Sequence, residues 1–194
     1  SRQPLAQIED QIRKTAPADH KAIEAKLLPV LKSPETPKDA KRYICRWLAA
    51  VGSADCVPAV AELLGDADLS HPARMALEPL AQPAAAAALR DALAKVKGKQ
   101  LLGVISSVGT RRDAQAVSAL RGLTGDNDAT IAGAAITALG EIGTEEAVHA
   151  LDALQAPAAL TRTLARAKIA AANRLAAAGK TDAAAGDDQQ TRCR

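Results

Sequence analysis

Apolar residues recur along this chain in steps of three and four, and the blocks that they form recur in turn. Val57, Val60 and Leu63 make one triplet, Ala86, Leu89 and Ala92 a second, Val117, Leu120 and Leu123 a third, and Val148, Leu151 and Leu154 a fourth, at offsets of 29, 31 and 31 residues. A three-residue step keeps side chains on one face of a helix. A second series alternates with the first: Ile44, Leu48 and Val51; Ala73, Ala76, Leu77 and Leu80; Leu101, Leu102, Ile105 and Val108; Ala135, Ile136, Leu139 and Ile142; and Leu160, Leu164, Ala167, Ala171 and Leu175. The pattern predicts five units of two helices each, in which every unit buries its apolar face against the next.

Turn residues fall where this pattern needs them. Gly52, Gly109 and Gly143 follow the last apolar residue of a second helix, where a left-handed C-terminal cap favours glycine, and Ser53, Thr110 and Thr144 come next as expected N-caps. Within units, Gly65-Asp66-Ala67-Asp68 and Gly125-Asp126-Asn127-Asp128 read as turns in which Gly ends one helix and Asp starts another. Residues 1–16 are expected to form an N-terminal capping helix with Leu5, Ile8 and Ile12 on one face and Pro4 in its first turn. Tyr43 and Trp47, four apart, are the expected anchor for it. The array itself is placed at 17–180, and 181–194, without apolar periodicity, are expected to be disordered or foreign to it.

The segment AITALGEIGTEEAVHALDAL (Ala135 to Leu154) resembles HEAT repeats, in particular the short variety of phycobilisome-lyase-like proteins, through Ala138-Leu139-Gly140 and Ile142-Gly143 leading into Ala147-Val148 and Leu151. VISSVGTRRDAQAVSALRGL (Val104 to Leu123) and WLAAVGSADCVPAVAELL (Trp47 to Leu64) are similar, so the resemblance covers about Lys21 to Lys180. It implies an all-α fold, a right-handed solenoid of about five antiparallel helix pairs, and it speaks to architecture rather than chemistry. The repeat departs from longer HEAT units in its period, nearer 30 than the ~40 to 47 of those units. In the third unit alanines replace larger anchors, and Gly98 and Gly103 stand in or beside a helix, which makes this the expected soft part of the array.

Composition narrows the class further. The chain is 48% apolar but has no Phe, one Trp and one Tyr, and its main constituents are helix formers, so an all-helical chain with a thin, alanine-rich core is expected. Twenty-five basic against 22 acidic residues leave a net charge of +3, short of the balance of a dedicated nucleic-acid binder. With no long apolar run and no signal-peptide core in SRQPLAQIED, the expectation is a soluble chain away from the membrane, with the cytoplasm favoured. Because the first residue is Ser, a removed export signal stays open. Cys45, Cys56 and Cys193 are odd in number and lack a CxxC, so no disulfide framework is expected, and Cys45 and Cys56 read as buried structural thiols.

Candidate chemistry is sparse. Glu146 and His149 form an E-x-x-H pair at helical spacing, but a catalytic zinc takes three protein ligands and no second such motif follows, so a metal-dependent hydrolase is the least favoured reading. His20 and His71 fall at helix starts without a partner at ligand spacing. No nucleophile elbow, P-loop or dinucleotide fingerprint occurs, and neither a cofactor nor enzymatic activity is expected. Basic clusters at Lys95 to Lys99, at Arg111 and Arg112, and at Arg162, Arg166 and Arg174 could meet phosphate. The resemblance adds DNA-binding and alkyl-base glycosylase members as the alternative, but acidic residues interleave with these clusters and the few aromatic residues lie near the N-terminus.

Opposite the apolar stripes of the second helices stand Arg42, Arg46, Arg74, Glu78, Thr137, Glu141, Arg162 and Arg166. An arginine-rich concave face suits an acidic protein or peptide, because arginine pairs bidentately with carboxylates. The leading expectation is therefore a non-enzymatic interaction scaffold. At the C-terminal end, GKTDAAA (Gly179 to Ala185) restarts the phrase IGTEEAV (Ile142 to Val148) and then stops, as in a fragment of a longer array. The stripe Leu160, Leu164, Ala171 and Leu175 has no evident cap beyond it and is expected to be covered by a second copy of the chain, by a flanking domain or by the long helix folding back, with self-association through this end as the expectation.

Overall fold

The computed structural model describes the backbone of residues 3–190 and the side chains of residues 8–179 apart from Arg13. Among them are eleven α-helices and no strand. The chain divides after Ser107 into two compact units. The first unit holds α1 (Gln3–Lys14), α2 (His20–Lys32), α3 (Lys38–Val51), α4 (Val57–Ala61), α5 (Ser70–Leu77), α6 (Pro83–Leu93) and most of α7 (Gly98–Thr110). The second holds the end of α7 with α8 (Val117–Leu123), α9 (Ala129–Ile142), α10 (Glu145–Asp152) and α11 (Thr161–Gln190).

Each unit is a two-layered, solenoid-like stack of helical hairpins. In the first, α2, α4 and α6 adjoin in sequence while α3 packs on α5, and the layers meet through α2 with α3 and α4 with α5. In the second, α8 adjoins α10, α9 packs closely on α11, and the layers meet through α8 with α9 and α10 with α11. Leu48, Leu77, Ile105 and Leu139, one from each of four second helices, are fully buried, so the second-helix register expected from the sequence holds, and Leu89, Leu120 and Leu151 of the first helices are fully buried with them. The N-terminal helix lies on α3 as expected: α1 contacts α3, Ile12 is buried, and the Tyr43 and Trp47 rings stand 6.2 Å apart. Ile8, expected inside, is exposed, and the side chain of Leu5 lies outside the described residues.

The first helices bury their central residues, Val60, Leu89, Leu120 and Leu151, as expected, but one outer position of each triplet is displaced by a residue. Leu64, Thr124, Ala147 and Ala85 are buried, whereas Leu63, Leu123, Val148 and Ala86 are only partly so. A straight α-helix returns to a face about 40° off after four residues and about 60° off after three, so four-step pairs such as Ala85 with Leu89 and Ala147 with Leu151 win. The 3-10 turns at Ala54–Cys56, Glu62–Gly65 and Ala114–Ala116 add a second displacement, turning each residue about 20° further than an α-helix does.

Caps follow the sequence in part. Gly143 is left-handed (φ 64°), and Thr144 accepts a hydrogen bond from the Ala147 amide at 3.3 Å. Ser53 caps its turn through the Asp55 amide at 3.2 Å. Gly52, however, is extended, and Gly109 and Thr110 lie inside α7, which runs on until Arg112 takes the left-handed conformation and Asp113 takes over capping through the Gln115 amide. Asp66 Oδ1 accepts from the amides of Asp68 and Leu69 at 2.7 and 3.0 Å, and Asp128 Oδ1 from that of Thr130 at 2.8 Å, as the turn reading required. Helix α11 continues past Gly179, where the sequence suggested a new unit, and of the expected tail residues 191–194, including Cys193, lie outside the described residues.

Part of the stripe expected to lie open at the start of α11 is covered within its own unit. Leu160, Ala167 and Ala171 are buried and Leu164 and Leu175 partly so, because α11 packs against α9 so tightly that a Cβ on Gly140 would stand 2.8 Å from Ala167 Cα. Among the described residues of α11, Ile169 is a large apolar side chain left exposed.

Candidate partner-binding face

Of the eight residues expected on one face, Arg42, Arg46, Arg74 and Glu78 fall in the first unit and Thr137, Glu141, Arg162 and Arg166 in the second. On α3, Arg42 and Arg46 point outward. Arg42 Nη1 donates to Asp39 at 3.0 Å and Arg46 Nε lies 2.8 Å from Glu9 Oε1. Exposed pairs of this kind are worth about 0 to 1 kcal/mol, so both arginines can exchange these carboxylates for others. Between them and the adjoining α5 runs a groove of about 530 Å³, lined by Arg42, Arg46, Ala49, His71, Pro72 and Met75. Met75, one of these lining residues, is 47% exposed. Asp68 also reaches the groove, but its carboxylate is held by Lys38 Nζ at 2.7 Å.

Arg74 behaves differently from its neighbours, because it turns inward. Its side chain is only 14% exposed; Nη1 donates to the Gly103 carbonyl and to Ser107 Oγ, both at 3.0 Å, and Nη2 donates to His71 Nδ1 at 3.1 Å. Ser107 Oγ in turn donates to Glu78 Oε1 at 2.5 Å, and that oxygen lies 3.8 Å from Arg74 Nη1. Burial pulls the Arg74 pKa down, and Glu78 opposes this. The arrangement depends on Gly103, since a Cβ there would stand 2.5 to 2.7 Å from the guanidinium. Arg74 and Glu78 therefore tie α5 to α7 and are not a free docking pair. The sequence signal was Gly103 inside an apolar helix, whose missing side chain makes room for a residue 29 positions away.

In the second unit Thr137 Oγ1 is engaged within its own helix, donating to the Gly133 carbonyl at 2.9 Å. Glu141 is partly buried and lies against α7, where a Cβ on Gly109 would collide with its Oε2. Arg162 and Arg166 are exposed on α11. Glu146 and His149 are both exposed on α10 and, with Arg121, border a depression of about 150 Å³. Among the described residues no three His, Cys, Asp or Glu side chains come together as a metal-binding group.

Cys45 and Cys56 are buried free thiols. Burial pushes the Cys45 pKa up to about 11; burial, with the nearby Glu24 carboxylate, pushes that of Cys56 up to about 12. Glu24 was not singled out by the sequence. It is 1% exposed on α2 and accepts from the Ser53 amide at 2.8 Å and from Ser53 Oγ at 2.7 Å, fastening the turn before α4 to the preceding repeat. Its buried charge is met by two donors, which is what such burial requires.

Residues 101–170 match the family described as HEAT repeats. No curated protein matches the chain. Among the described residues, no helix is long and apolar enough to cross a membrane.

Proposed function

We propose that this HEAT-repeat protein is a non-enzymatic scaffold that holds an acidic protein or peptide in the groove between α3 and α5. HEAT repeats are generally protein-interaction scaffolds, and the chain's own features supply the finer reading. The observation that carries it is the groove in which exposed Arg42 and Arg46 flank exposed Met75. Large exposed apolar side chains set among charges mark binding surfaces, and arginine is enriched in them. An extended acidic segment with one apolar residue would place that residue on Met75 and Pro72 and its carboxylates on the two guanidinium groups. Arg162 and Arg166, exposed on α11, offer a second basic patch within their own unit.

A nucleic-acid partner is the alternative, carried only by the same arginines. Fluorescence anisotropy with a labelled acidic peptide and with a labelled DNA duplex, each at two salt concentrations, separates the two. The scaffold reading expects saturable peptide binding that Arg42→Glu with Arg46→Glu abolishes. Duplex binding with a steep salt slope, and none of the peptide, would replace it with the nucleic-acid reading.

A further inference from the structure

The groove between α3 and α5 has two unlike sides, and the difference restricts what can lie in it. On α3, Arg42 and Arg46 stand one turn apart, about 6 Å along the helix axis. On α5, Pro72 and Met75 make the other side apolar. Among the described residues Arg42 donates only from Nη1, to Asp39, and Arg46 is paired only through Nε, with Glu9. Arg42 therefore keeps Nε and Nη2, and Arg46 keeps both Nη nitrogens, each a two-nitrogen fork of the kind that grips a carboxylate bidentately.

The step between these forks selects the backbone of the occupant. In an extended chain, side chains two positions apart point the same way and lie about 6.6 to 6.8 Å apart, close to the step from Arg42 to Arg46. The side chain between them points the opposite way, so two carboxylates on α3 send an intervening apolar group towards Pro72 and Met75. Three extended residues span about 10 Å, the length of α3 from Arg42 to Ala49, the stretch that lines the groove. A helix needs five residues for the same two-sided arrangement, with the apolar one third. Its diameter of about 10 to 12 Å is also too broad to sink between two packed helices whose axes lie about 8 to 10 Å apart.

One end of the groove opposes further acid. Asp68 lies at the end nearer the start of α3, where Lys38 Nζ is shared between Asp68 at 2.7 Å and Asp66 at 3.0 Å. Two carboxylates on one ammonium leave that end negative, so an acidic residue running past Arg42 meets like charge. We infer that the groove selects a short linear motif, an acidic, an apolar and an acidic residue in succession, bound as an extended segment, over a longer acidic tract. This rests on the acidic-peptide function proposed above and gives that peptide its spacing and order.

The test uses the full chain and fluorescein-labelled peptides with identical Ser-Gly flanks, read by anisotropy. Their centres are Glu-Leu-Glu, Glu-Glu-Leu, the helically spaced Glu-Ser-Leu-Ser-Glu and the longer Glu-Glu-Leu-Glu-Glu. Glu-Leu-Glu should bind about tenfold more tightly than the permuted and helically spaced peptides, each of which forfeits a charged hydrogen-bonded contact or the apolar one. The longer peptide should bind no more tightly than Glu-Leu-Glu, and should gain on it in Asp68→Asn, which keeps the Asp66 cap of α5. Each arginine should couple to one carboxylate: Arg42→Gln should be silent against one of Gln-Leu-Glu and Glu-Leu-Gln, and Arg46→Gln against the other. Equal binding of Glu-Leu-Glu and Glu-Glu-Leu, or a preference for the helical spacing or the longer tract, overturns the motif. If Arg42→Glu with Arg46→Glu still abolishes that binding, the scaffold reading stands without it. Binding of none of the peptides, or binding that the arginine substitutions leave unchanged, removes the scaffold reading and the motif together.

Discussion

Substituting Gly140 by Ala sets two effects of opposite sign against each other. In an exposed helix interior, Gly to Ala stabilises by about 1 kcal/mol, because Ala loses less backbone entropy on folding. At Gly140 the added Cβ would stand 2.8 Å from both Ala167 Cα and Ala167 O and 3.0 Å from Ala167 Cβ. These are mostly backbone atoms of α11, so relief requires α9 and α11 to separate by roughly half an ångström or more across a close-packed contact. Overpacking of this kind costs about 1 to 3 kcal/mol, which outweighs the helix-propensity gain through most of its range. Gly122, on α8, has nothing within 4 Å of its hypothetical Cβ and so isolates the propensity effect. Gly122→Ala should raise the melting temperature by about 2 to 4 °C and Gly140→Ala should lower it by a similar amount, in a chain of this size. Urea titration followed by circular dichroism should order the midpoints as Gly122→Ala, wild type, Gly140→Ala. A Gly140→Ala protein at least as stable as wild type would refute the close contact of α9 with α11.

Leu139→Ala empties a fully buried site and should cost about 2 to 5 kcal/mol, read as a lower urea midpoint; no change would mean that α9 is wrongly registered. In a Cys193→Ser background, Cys45 and Cys56, with pKa values near 11 and 12 against an ordinary 9.0, should hold about a hundredfold and a thousandfold less thiolate at pH 8. Disulfide-exchange labelling should therefore be slow until urea unfolds the chain, and prompt labelling of the native protein would contradict their burial. Asp128 is held below the ordinary value of 3.8, chiefly by the Thr130 amide. Its contribution to stability is thus present above pH 3.8 and is lost as the pH falls through the lower native value. Asp128→Asn keeps the accepting oxygen without the titration, so its stability should fall less steeply below pH 4 in acid melts, and an identical acid slope would remove the capping role.

Much of the architecture was legible because its causes are local. The spacing of Leu48, Leu77, Ile105 and Leu139 follows from helical geometry and the need to bury one face, and Thr144 after Gly143 or Asp66 before Asp68 announces a cap through its own side chain. The scarcity of large aromatic residues also has a visible counterpart, in helices close enough for Gly140 to meet the backbone at Ala167. The first-helix register was legible only to within a residue, since 3-10 turns shift the phase and their placement depends on how the hairpins close.

The candidate site shows where local reasoning ends. Arg42, Arg46 and Arg74 occupy similar positions on successive second helices, yet the first two face outward and the third is buried in a tie to Gly103, Ser107 and Glu78. No property of the residues around Arg74 distinguishes it; the space it fills is made by a glycine on the next second helix. Met75 beside His71 likewise acquires meaning only from the groove that both line. The sequence by itself determined the helices, their pairing and their buried faces, because these depend on residues within a turn or two of each other. Which polar groups remain free for a partner was decided only in the tertiary structure, because pairing among polar side chains depends on distances between repeats that no local spacing encodes.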